Sequence, residues 1–240
     1  MTQERSPYKR VLLKLSGEAL AGASGYGIDP DAADFIADKI QQIIVLGVQV
    51  AVVIGGGNLW RGEIGQKRGM DRTTADHMGM LATVMNGLAL RDALERRAVD
   101  TRVQTAIEMN TVAEPYIRLR AIRHMDKGRV VILTGGTGNP FFTTDSAAAL
   151  RASEIDADIV IKATKVSGVY SDDPKKNPNA VRYSTISYDK VLQDHLTIMD
   201  MTAFTICQEN NIPIMVVNFW GEDDLLRAIQ GDESVGTVIR

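Results

Sequence analysis

Compact aliphatic runs alternate along the chain with stretches whose apolar residues recur every three or four positions. Val11–Leu15, Val48–Ile54, Val130–Leu133, Ile159–Ile161 and Ile214–Val217 are short and rich in β-branched residues, and they lack in/out alternation. Strands of that kind are buried on both faces, as in parallel sheets covered by helices. Between the first two, Asp29-Pro30 predicts an N-cap with proline at the first helical position. Phe35, Ile36, Ile40, Ile43 and Ile44 follow at helical spacing, and Gly47 is a natural stop. A second helix is predicted over 73–97, with Met78, Leu81, Met85 and Leu88 at spacings of 3, 4 and 3, and a third from Pro115 to Gly128. The repeated β-α-β order predicts an α/β fold, a three-layer sandwich around a mainly parallel sheet. No linker divides the chain, so residues 1–240 read as one domain, and Tyr170–Pro178 (YSDDPKKNP) reads as a surface loop.

Three of the expected strand ends are unusual. SGEAL follows Leu15, GGGNLWRG follows Ile54, and TGGTGNPFFTTD follows Leu133. Ligands of such folds sit beyond the carboxyl ends of the strands. Glycine there lets backbone N–H groups point inward and lets phosphate oxygens approach without meeting a Cβ. Three ligand-free tight β–α connections are the plain alternative. G-x-x-x-x-G-K-[ST] is absent, and neither glycine cluster completes G-x-G-x-x-G, which removes the P-loop and the dinucleotide-binding fingerprint.

Charged residues beside these turns suit phosphoryl transfer, which needs positioning and charge neutralisation more than covalent chemistry. Lys14 lies inside a strand, awkward for a long cation unless it projects from the strand end toward an anion or snorkels out. Arg61 carries a planar fork suited to phosphate oxygens, although solvated arginines are equally common. Asp145 opens the helix 146–152, where it favours the helix dipole or orients a lysine or a magnesium–phosphate group. The balance of 27 Lys and Arg against 30 Asp and Glu, a net charge of −3, gives no reason to expect nucleic acid or membrane partners. A single cysteine, Cys207, and three histidines without ligand spacing (His77, His124, His195) argue against a disulfide or a zinc site. The N-terminus 1–8 is polar and the apolar runs are far too short for a bilayer, so a soluble, cytoplasmic protein is expected.

The segments KLSGEAL (Lys14–Leu20), GGGNLWRG (Gly55–Gly62), DRTTADHMGMLATVMNGLAL (Asp71–Leu90), TGGTGNPFFTTDSAAALRA (Thr134–Ala152), IVIKATKVSGVYSDDP (Ile159–Pro174) and IMDMTAFTICQENNIPIMVVN (Ile198–Asn218) resemble, in order, the amino acid kinase family, and within it the UMP kinases. The first glycine turns are shared with carbamate and acetylglutamate kinases; the DRTTADHMGM helix and GNPFFTTD are narrower. The resemblance implies transfer of the γ-phosphoryl group of ATP to UMP, giving UDP for pyrimidine nucleotide synthesis. It implies Lys14, Arg61 and Asp145 as catalytic, and Lys14, Leu15, Ser16, Gly17, Gly57, Arg61, Thr164, Tyr170 and Asp173 around ATP. UMP would be held by Gly56, Asp76, Thr137, Gly138, Asn139, Pro140, Phe141, Phe142, Thr143 and Thr144. The N-terminal part would form mainly the acceptor side and the C-terminal part mainly the ATP side.

The resemblance further implies Mg2+ with ATP and no dedicated protein metal site. It also implies a GTP-activator loop at Gly22, Ala23, Ser24, Gly25, Tyr26 and Gly27, inhibition by UTP, and a homohexamer. For that loop, composition alone favours a flexible surface Ω-loop. The methionine stripe of Met78–Leu90 suits either an assembly surface or plain core. Two competing functions remain at this stage, a kinase of a carboxylate or carbamate and a uridylate-sensing regulatory protein.

Overall fold

A computed structural model describes residues 6–172, 174, 176–194, 196 and 198–240. Its strands are β1 (Arg10–Leu15), β2 (Gln49–Ile54), β3 (Thr101–Thr105), β4 (Glu114–Pro115), β5 (Val130–Thr134), β6 (Ile159–Thr164), β7 (Thr185–Ile186), β8 (Ile214–Asn218) and β9 (Gly236–Ile239). They form one sheet in the order β4-β3-β5-β2-β1-β6-β8-β9-β7. Every pairing is parallel except β8 with β9. The five aliphatic runs are the five adjacent strands β5, β2, β1, β6 and β8 at its centre.

The helices are α1 (Pro30–Ile44), α2 (Gly62–Lys67), α3 (Arg72–Arg96), α4 (Arg118–Asp126), α5 (Thr144–Glu154), α6 (Tyr188–Gln193), α7 (Met201–Glu209) and α8 (Asp224–Ile229). Strand alternation splits the core in two. Val11, Leu13 and Leu15 face Ile36, Ile40, Leu90, Leu94 and Leu225, on α1, α3 and α8. Leu12 faces Met125, Ala149, Val191 and Phe204, on α4, α5, α6 and α7. Helices therefore cover both faces, as the two-sided burial of β1 requires. No helix among the described residues is long and apolar enough to cross a membrane.

One sequence expectation shifts. The third helix starts at Arg118, because Glu114–Pro115 pair with β3 instead. Of the stripe Met78, Leu81, Met85 and Leu88, the first three are exposed and only Leu88 packs against the core. Helix α3 buries a different face, with Met80, Val84, Leu90 and Leu94 interspersed with small and polar residues (Ala75, Ala82, Thr83, Asn86, Gly87) that let it lie close to the strands. A Cβ added at Gly87 would stand 2.5 Å from Thr134 Cγ2.

Candidate functional site

The three glycine-rich turns meet at the carboxyl ends of β1, β2 and β5. Gly17 is required by close approach, since a Cβ there would stand 2.6 Å from the Gly55 carbonyl oxygen and 2.8 Å from the Gly57 nitrogen. Gly57, by contrast, faces open space. Behind the turns, two fully buried amides exchange hydrogen bonds. Asn86 Nδ2 donates to Asn58 Oδ1 (2.7 Å) and Gly55 O (2.7 Å), and Asn58 Nδ2 donates to Asn86 Oδ1 (3.0 Å) and Gly27 O (2.7 Å).

The charged centre is Lys14–Asp145–Lys162. β1 and β6 are parallel, with Lys14 opposite Lys162, so both ammonium groups leave the same face of the sheet. Asp145 lies in the first turn of α5, whose N-cap Thr143 accepts from the Asp145 and Ser146 N–H groups. Its carboxylate meets Lys14 Nζ at 2.6 Å through Oδ1 and Lys162 Nζ at 2.8 Å through Oδ2. The Lys14 contact is ionic and off the hydrogen-bond direction, which leaves the buried Oδ1 without an aligned donor. Burial pushes the Asp145 carboxyl up, but the two lysines outweigh it and hold it below the ordinary carboxylate range. Burial, reinforced by the Lys14 charge, lowers the Lys162 ammonium below the ordinary lysine range against the pull of Asp145.

Asp200 braces this centre. It caps α7 by accepting from Ala203 N (2.9 Å), and it accepts from Ser146 Oγ (2.9 Å) and Thr143 Oγ1 on α5. Lys162 also donates to Ile198 O.

A cavity of about 260 Å3 adjoins one side of the centre. Of the residues expected around the acceptor, Gly56, Asp76, Thr137, Asn139, Phe142, Thr143 and Thr144 line it, with Gly57, Trp60 and Thr83. Gly138, Pro140 and Phe141 do not. Gly138 packs on Ala106, and Phe141 adopts φ +73° with its N–H donating to Asp76 Oδ2 at 2.8 Å. Asp76 also accepts from Arg72 Nε at 2.8 Å. A second cavity of about 290 Å3 is lined by Lys14, Ser16, Lys162, Thr164, Lys165 and Trp220 among others.

The other residues expected around the donor are placed differently. Leu15 is buried in the core. Arg61 is exposed and ion-paired with Glu18 at 2.6 Å, lining neither cavity. Tyr170 lies on the loop after β6, bridged to Arg182, and does not line the second cavity. Asp173 lies outside the described residues, as does His195. In the Gly22–Gly27 loop, Gly22–Ser24 form a 3-10 turn, Tyr26 is exposed, and the loop is tied to Asn58 at both groups of Gly27. Gly22 borders a third cavity whose wall includes the carboxylates Glu18, Asp29 and Asp31.

Sequence reasoning missed Lys162, Asp200 and Trp220. Lys162 repeats the signal of Lys14, a lysine inside an aliphatic strand, and that was its available mark.

Glycine turns, paired buried cations and two cavities at strand ends define an α/β protein whose site has the chemistry to receive anionic groups. The chain belongs to the amino acid kinase family, which it matches over residues 9–218. It is similar to the UMP kinase from Bacillus anthracis (42% identity, TM-score 0.94, covering 98% of this chain and 96% of that one). It is similar also to the UMP kinase from Ureaplasma parvum (38% identity, TM-score 0.91, 96% and 98%). The uridylate kinase from Archaeoglobus fulgidus is more distant (31% identity, TM-score 0.74, 96% and 99%).

Proposed function

We propose that this protein is a UMP kinase that transfers the γ-phosphoryl group of MgATP to UMP. The observation that carries the proposal is the Lys14–Asp145–Lys162 centre beside two cavities. UMP occupies the Asp76 cavity of the first, mainly N-terminal half, and MgATP the Lys162–Thr164 cavity, to which the C-terminal half contributes most. Phosphoryl transfer through a loose transition state leaves charge on the equatorial oxygens. Two preorganised ammonium groups meet that charge without reorganising, and Asp145 fixes their direction.

The chemistry of the donor set supports Mg2+ entering as part of the nucleotide. Asp145 is already held by two lysines, and Asp200 by two hydroxyls and a backbone N–H. Arg61 exchanges Glu18 for phosphate when the nucleotide arrives, and Asp76 exchanges Phe141 N–H for ribose hydroxyls. The Gly22–Gly27 loop mediates activation by GTP through its bonds to Asn58, and UTP inhibits. The exposed Met78, Leu81 and Met85 face of α3 contributes to a homohexamer, and the protein acts in the cytoplasm.

A coupled ADP-release assay with UMP, CMP, carbamate and acetylglutamate as acceptors tests the proposal. UMP alone should support rapid release. Faster release with carbamate or acetylglutamate would replace the acceptor assignment.

A further inference from the structure

We propose that the indole of Trp220 is the stacking face for the base of the phosphoryl donor, and that Lys39 positions it. This rests on the assignment of the second cavity to the donor.

The lysine end of that cavity suits phosphates, whereas its other wall carries Thr164, Lys165 and Trp220. Trp220 stands two residues after β8 and is 42% exposed, at the mouth of the cavity. The ring is held by an aromatic neighbour on one side and remains partly exposed. Phe219 meets it edge-on (5.5 Å, 77°), and Phe35 meets Phe219 in the same way (6.0 Å, 83°). Lys165 Nζ stands over the indole at 5.8 Å from its centroid, so a base stacking on that face displaces the lysine, whose ammonium is then free to meet the nucleotide's phosphates.

The backbone just beyond the ring is clamped from α1. Lys39 is buried at 7% exposure, and its ammonium donates to the carbonyl oxygens of Gly221 (2.9 Å) and Glu222. A buried ammonium is costly unless its donors are used. Here they hold two consecutive peptides of the Trp220 loop. The chain's other tryptophan, Trp60, lines the acceptor cavity, its Nε1 donating to Ala75 O at 2.9 Å. Trp60 lines the acceptor cavity, whereas Trp220 borders both the donor cavity and the third cavity, so fluorescence separates the acceptor side from the Trp220 side and the KM for ATP assigns the donor site.

In a Trp60→Phe protein, titration with adenosine 5′-(β,γ-imido)triphosphate should change Trp220 emission saturably. In the otherwise unaltered enzyme, Trp220→Ala should raise the KM for ATP about tenfold, the loss expected for one base–aromatic stack, with the KM for UMP within twofold. Trp220→Phe should recover most of the loss. Lys39→Met should raise the KM for ATP in the same sense and add little in the Trp220→Ala background, because it acts through that ring. An active Trp220→Ala enzyme with unchanged KM for ATP, or Trp220 emission indifferent to the nucleotide, would overturn the inference. A wild-type protein that does not phosphorylate UMP would instead refute the kinase assignment, and the emission titration would still show whether the nucleotide reaches the Trp220 ring.

Discussion

Replacing Asp145 by asparagine removes one negative charge from between two ammonium groups. The three side chains are 11% (Lys14), 16% (Asp145) and 13% (Lys162) exposed, so water replaces little of what is lost. The new amide also turns an NH2 toward one lysine, a donor facing a donor. Breaking a buried ion pair by deleting one partner costs about 3–5 kcal/mol. With the site open to two cavities, the lower end applies, about 3 kcal/mol, equivalent to a fall in Tm of roughly 6–12 °C for a chain of this size. Catalysis should suffer separately: kcat should drop about a hundredfold, as when one transition-state donor is misdirected. The KM for ATP should not rise, because the triphosphate then meets two uncompensated cations. Thermal unfolding and steady-state kinetics measure both effects. Adding Lys162→Met to Asp145→Asn should return part of the lost stability by removing the unbalanced charge. An Asp145→Asn enzyme with Tm within a degree of wild type and kcat within threefold would refute the role given to the triad.

Acceptor choice is the next test: UMP should be used far better than CMP, since a mismatched buried polar pair costs about 1–3 kcal/mol, and equal turnover would remove that specificity. The pH dependence of stability should follow Asp145. Its folded pKa lies below the unfolded value, so its contribution is complete above the ordinary carboxylate range and lost as pH falls through the folded pKa. The Tm gap between wild type and Asp145→Asn should therefore close in acid, and a gap constant down to pH 2 would contradict the ion triad. At the alkaline end, kcat should decline below the ordinary lysine pKa of about 10.4, as Lys162 deprotonates; Lys162→Met should be nearly inactive at every pH. Gly25→Val should keep basal activity and lose the several-fold GTP response. Gly25 has φ +68° with open space around its Cβ position, so the substitution strains the loop without crowding it; parallel loss of basal activity would assign the loop to catalysis.

The centre of the sheet was legible because strands buried on both faces leave a continuous aliphatic signature, as in VAVVI and VVIL. Asp29-Pro30 marked α1 at the residue where it starts. The edges were not legible. In β3, TRVQT, buried polar side chains such as Gln104 and Thr105 mask the strand signal, and β4 and β7 are two-residue pairings created by their neighbours. Lys14 and Asp145 stood out locally. Lys162 carries the same local mark as Lys14, but its pairing comes from the register of β1 against β6; Asp200 has no local mark and takes its meaning from the meeting of two helix starts. The α3 stripe stayed open between surface and core for a related reason: spacing identifies a helical face without saying whether it turns inward.

The pairing of β1 with β6 also has a consequence for the order in which the protein becomes competent during synthesis. β1 finds β2 within a few dozen residues (Val11 opposite Val50), but its other neighbour lies far along the chain (Val11 opposite Ile159). Contacts so distant in sequence form late, after loop-closure entropy has been overcome. Until β6 is made, Lys14 lacks its partner cation, and until α7 follows, Thr143 of the Asp76 cavity lacks Asp200. The lysine pair comes into being only when β6 has left the ribosome and closed on β1, so the charged centre is among the last features that synthesis can complete.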